Sequence, residues 1–79
     1  MIGASVSLIN KMHKGDPACS LKIGDQVYKH AAEKGDKHEI GETGVVTGSM
    51  AAFGKEAYLV KFGDSLIETF ILKDKIDKI

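Results

Sequence analysis

Leu21-Lys22-Ile23-Gly24-Asp25-Gln26-Val27-Tyr28 is the stretch on which the fold turns. Two apolar residues at alternate positions lead into Gly-Asp, and Val27 then opens a strand. A counterpart follows at Ile40-Gly41-Glu42-Thr43-Gly44-Val45-Val46, where two glycines three apart open a second strand. Together the runs read as the start of a small, strongly bent β-barrel. They specify an architecture and no chemistry.

Downstream, the strand signals continue. The first strand is expected over residues 26–30 and the second over 44–50, with residues 51–55 as a hairpin connection. A third strand, residues 56–62, sets Tyr58, Val60 and Phe62 on one face. Gly63-Asp64-Ser65 is a tight turn into a fourth strand, residues 66–72. Lys73-Asp74-Lys75 is too polar and short for a strand and fits one helical turn; residues 76–79 close as a short strand. Turn signals every eight to twelve residues indicate a sandwich or a barrel, and 79 residues favour the barrel. The chain divides into an N-terminal arm, residues 1–20, and a β unit, residues 21–79. Within the arm, Ile2, Ala4, Val6 and Leu8 alternate with smaller residues, which predicts a strand. A helix over residues 7–14, capped by Ser7 and stopped by Gly15, competes with it. Residues 31–42 are polar, without usable period, and are expected to form the most mobile internal loop.

Composition narrows the functions. A domain this short has a thin core and little room for a deep pocket. Lys+Arg and Asp+Glu are equal at 11 each, so the net charge is zero, and the two signs are interleaved. Every cation is Lys. Without the bidentate fork of Arg, specific nucleic-acid reading is disfavoured, and no nucleic-acid binding is expected at physiological salt. Trp is absent, which removes the usual wall of a proline-peptide groove. Cys19 is the one cysteine, so no internal disulfide forms, and a reducing, cytoplasmic location is expected. The start of the chain lacks a basic region followed by a long apolar run, and no stretch is long enough to span a membrane.

From Leu21 to Ile79 the chain resembles the SH3-like small-barrel superfamily. The resemblance rests on apolar-x-apolar-Gly-Asp-x-Val at 21–27, Gly-x-x-Gly-x-Val at 41–46, Tyr-x-Val-x-Phe at 58–62 and the closing Ile-Leu-Lys-Asp-Lys-Ile at 71–76. It implies an all-β fold, a barrel of about five short strands with an N-terminal arm or extra strand. Order and spacing are similar to the E-type subunits of photosystem I and the ferredoxin–thioredoxin reductase variable chain, which implies a docking or scaffolding role without chemistry of its own. Gly41-Glu42-Thr43-Gly44-Val45-Val46 is also similar to KOW-type modules, which implies weak nucleic-acid binding as the alternative. The plasmid-type dihydrofolate reductase barrel builds its site between subunits from a Val-Gln-Ile-Tyr run. Glu68, Thr69, Phe70 and Ile71 stand at the matching positions, so that activity is not carried over.

Side chains with chemical potential are few. His13, Asp16 and Cys19 recur at three-residue steps, but Gly15 and Pro17 break the helix that would gather them on a metal. His30, His38 and Glu39 flank the long loop without a sign of a cleft, and read as solvated polar groups. Cys19 has only Lys22 close in sequence to activate it. Gly41 and Gly44 lead into a strand, whereas a phosphate cradle leads into a helix; they read as bend glycines. No catalytic, cofactor or metal residue is assigned. The strongest signal is apolar excess: residues 66–72 would be apolar on both faces, and a small barrel has one inside. The arm or another chain must cover the outer face. Leu66, Phe70 and Leu72, with Lys34, Asp36, Lys37 and His38 of the loop, are therefore the candidate interaction residues. The expected partner is another protein or a second copy of the chain, bound through the fourth strand and arm, with no membrane involved.

Overall fold

The fold rests on how β2 bends. In the computed structural model, which describes residues 6–79, β1 (Gln26–Lys29), β2 (Thr43–Ala52), β3 (Lys55–Phe62), β4 (Thr69–Leu72) and β5 (Ile76–Lys78) form one antiparallel sheet in the order β4-β3-β2-β1-β5. β2 is long enough to pair with β1 at its start and with β3 along its length. A register shift between Val46 and Gly48 marks a bulge there, the usual device for bending a strand. The sheet curls around a core of Val27, Val46, Tyr58, Val60 and Phe62, joined by Ile71 and Ile76. It is not closed, since β4 and β5 lie at opposite ends, linked by the 3-10 turn Lys73–Lys75. The molecule is mostly β, with one short helix among the described residues, α1 (Val6–Lys14).

That helix corrects the arm. The expected strand over residues 2–8 conflicts with α1, which takes in Val6, Ser7 and Leu8; residues 2–5 lie outside the described residues. The helix wins because Leu8, Ile9 and Met12 share one face and bury it against Ala57, Leu59, Met50 and Leu72. Ser7 is inside the helix rather than its cap. Gly15 stops it as expected, at φ +81°, its N–H bonded to Met12 O at 3.0 Å. β3 is consequently buried on both faces: Tyr58, Val60 and Phe62 inside, Ala57 and Leu59 under the helix.

The fourth strand is shorter than the sequence predicts. Residues 66–68 are not extended pairing partners of β3, and β4 begins at Thr69. Ser65 captures the segment: its N–H donates to Phe62 O at 3.0 Å, and its hydroxyl accepts from the Ile67 N–H at 3.1 Å. Glu68 is drawn away to His13 Nε2 at 2.8 Å and the Thr47 hydroxyl at 2.6 Å. The β2–β3 hairpin turns on Phe53-Gly54 alone, both at positive φ (+55° and +74°), the two-residue geometry that matches strand twist. The 3-10 turn and β5 fall where expected.

Candidate functional site

Lys29 is the side chain around which the candidate site is built. Alternation along β1 puts it on the same face as Val27, and it is 2% exposed. A buried ammonium needs partners on every proton it can share. Its Nζ donates to Asp36 Oδ2 at 2.9 Å and to His38 O at 2.7 Å. Asp36 also accepts from Lys75 Nζ at 3.0 Å and from the Glu33 N–H at 3.0 Å. The Lys29 hydrogen bond, then those from Glu33 and Lys75, hold the Asp36 carboxyl well below the usual range. The same contact raises the Lys75 ammonium.

His38 anchors the far end of the loop. Its ring stacks on Phe62 with centroids 4.3 Å apart. Nδ1 lies 3.0 Å from Glu42 Oε1, and because a carboxylate only accepts, Nδ1 carries the proton. Nε2 lies 3.2 Å from the Thr69 hydroxyl on β4. The Glu39 N–H and then His38 lower the Glu42 carboxyl. Residues 31–42 are thus tied down at Asp36 and His38 by groups that no pattern in the chain pairs with them. Asp36 and His38, two of the candidate contact residues, are half-buried and hold the loop, Asp36 through Lys29 and Lys75 and His38 through Glu42 and Thr69.

A groove of about 460 Å3 opens between residues 33–38, β4 and the 3-10 turn. Phe70 and Lys37 stand on it, with Lys29, Asp36 and Lys75 beneath. Among the described residues, β4 pairs with β3 on one side and with no strand on the other. Phe70 on β4 is 54% exposed, and in the segment just before β4 Leu66 is 87% and Ile67 62% exposed. Leu72, the other apolar candidate, is half-buried against the α1 cluster, so the arm covers that part of the face and leaves the rest open. Lys34 is exposed and does not line the groove. Of the candidates, Leu66, Phe70, Lys34 and Lys37 are exposed, and Asp36, His38 and Leu72 are half-buried and line the groove. Lys29, Lys75 and Ile67 join the site without having been marked by the sequence. The signal for Lys29 was its place two residues after Val27 in a strand, a core position.

The other side chains considered are dispersed. His13 pairs with Glu68, while Asp16 accepts from the Ala18 and Ala51 N–H groups at 2.9 and 3.0 Å and so pins the arm to β2. Cys19 is buried, and burial pushes its thiol up, away from the reactive thiolate. Among the described residues no group of three or more His, Cys, Asp or Glu is placed to hold a metal ion, and no helix is long and apolar enough to cross a membrane. Tyr58 donates to Glu56 and accepts from the Leu21 N–H, and burial and then the Glu56 carboxylate push its phenol well up. Gly41 sits at φ +96°, and a side chain at Gly44 would meet Lys61 O at 2.5 Å, so both glycines serve the bend. No protein-family model, curated protein or solved structure matches the chain.

Proposed function

We propose that this protein is a small interaction or scaffolding module without chemistry of its own, built on an SH3-like barrel. The strand order, the long loop between β1 and β2, and the 3-10 turn between β4 and β5 support the barrel reading. The observation that carries the function is the exposure of Leu66 and Ile67 just before β4 and of Phe70 on it, where β4 pairs with no strand among the described residues on its outer side. Scattered apolar residues are ordinary on a surface, whereas three exposed large apolar residues within five positions of the chain, next to a strand with an unpaired side, suit a place where another chain docks. The buried, unpaired thiol of Cys19 fits a reducing compartment such as the cytoplasm.

Site-specific photo-crosslinking in cells tests this. A photoreactive side chain at Leu66 or Phe70 is expected to give a defined protein adduct, identified by mass spectrometry, that the same group at Lys34 does not give. Equal labelling from all three positions, or no adduct from Leu66 and Phe70, would sink the proposal.

A further inference from the structure

A sheet has two outer strands, and each presents unpaired N–H and C=O groups to any other sheet that approaches. The two are protected differently here. β5 is three residues long and carries Asp77 and Lys78, with Asp77 3.5 Å from His30 and 3.6 Å from Lys73. Charges on a short strand blunt an edge. β4 reads Thr-Phe-Ile-Leu, with no charge or proline, and pairs with β3 in continuous register. Residues 33–38 stand beside it instead. They are fastened at both ends of the strand. His38 Nε2 lies 3.2 Å from the hydroxyl of Thr69, the first residue of β4. Asp36 accepts at 3.0 Å from Lys75, which closes the 3-10 turn after Leu72. We infer that residues 33–38 are a strap that closes the outer edge of β4 to a second sheet, and that lifting it lets chains pair edge to edge.

Gly35, Asp36, Lys37 and His38 line the groove together with all four residues of β4. A neighbouring strand must come to about 4.8 Å from β4, and the sheet it belongs to meets these residues first. The hold on the strap is local. Asp36 and His38 are half-buried and the other four residues of the strap are exposed, so two side chains retain it. Asp36 is anchored to Lys29 at 2.9 Å, and the His38 ring is stacked on Phe62. Ordering a polar segment costs entropy, which here few apolar contacts offset. Breaking those contacts leaves the packing of Val27, Tyr58 and Val60 in place, so the strap opens without unfolding the sheet. Closure of this kind is steric and holds whether or not a partner docks on Leu66 and Phe70. Its failure and the failure of the interaction module are therefore separate results.

Sedimentation velocity from micromolar to millimolar protein tests the strap. The wild type is expected to stay at the protomer mass. Residues 33–38 replaced by Gly-Gly, with Lys29→Met so that no buried ammonium is left unpaired, should shift the mass to a dimer or larger over the same range. Adding Phe70→Lys puts a charge on the edge strand and should return that protein to the protomer mass. Lys29→Met with Asp36→Ala keeps the full chain length, frees one end of the strap and should also associate; it decides the outcome if the shortened chain loses its dispersed amide spectrum. Gly48→Ala disturbs the contact of α1 with β2 and leaves the strap alone, so it should remain a protomer. Strap variants that fold and stay monomeric overturn the inference. So does a wild type whose association Phe70→Lys abolishes, or a Gly48→Ala protein that associates as strongly as the strap variants.

Discussion

Phe53 holds φ +55° at the tip of the β2–β3 hairpin, with its ring wholly in solvent. Left-handed backbone costs a residue with a Cβ about 1 kcal/mol, and Asn tolerates it best among the non-glycines. Phe53→Asn should therefore raise unfolding stability by about 0.5–1 kcal/mol in urea titrations. A loss of stability would mean that the ring makes a contact that matters to the fold. Asp36 carries a prediction in pH. Its carboxyl is depressed by Lys29 first, then by Glu33 and Lys75. A depressed carboxyl contributes its full stability above the unfolded value of about 3.9 and loses it as pH falls through the lower folded value. The urea midpoint should decline from about pH 4 downward. Asp36→Asn should be less stable at neutral pH and show a shallower decline in acid. An unchanged slope would place the acid sensitivity on Glu42 and Glu56, which are also held low, Glu42 by the Glu39 N–H and Glu56 by the Tyr58 hydroxyl.

At the scale of elements, α1 and β2 meet at Gly48. A Cβ there would lie 2.9 Å from Leu59 Cδ1 and 3.1 Å from Met12 O. Leu59 can swing aside, but the helix backbone cannot. Gly48→Ala should cost about 1–3 kcal/mol and speed amide exchange in α1 before the rest of the molecule. Uniform exchange would show that helix and sheet open together. The same contact explains why strand alternation loses in the arm. Val6 and Leu8 fit a strand, and only the apolar strip of Ala57, Leu59 and Leu72 outside β3 rewards the helical face instead. Residues 66–68 leave the strand pattern for a related reason. They are apolar enough for a strand, but the Ser65 turn and the hold of His13 and Thr47 on Glu68 keep them out of the sheet.

For the molecule as a whole, equal numbers of cations and acids decide how it meets a polyanion. Lys29 and Lys75 are committed to Asp36, and Lys78 lies 3.6 Å from Asp25, so several lysines are not free to displace counterions from phosphates. Filter binding or gel shift on generic DNA and RNA at physiological salt should detect no appreciable affinity. A dissociation constant of micromolar or tighter would restore the KOW-type alternative.

The sequence by itself determined five strands after residue 21, a connection within residues 51–55 between the second and third of them, a turn that starts at Gly63, the 3-10 turn, and the inward set Tyr58, Val60 and Phe62. These follow from local periodicity and turn chemistry, which act between residues near in the chain. It also marked Leu66 and Phe70 as apolar residues in excess of what one core can hold. Only the tertiary structure decided what became of the rest. It turned the arm into a helix over Leu59, buried Lys29 beneath a loop that has no apolar pattern of its own, and left β4 with an edge that no described residue pairs. Each of these depends on partners distant in sequence: Met12 with Leu59, Lys75 with Asp36, His38 with Thr69. A period in the chain reports which face a residue prefers, and the packed sheet alone determines what it faces.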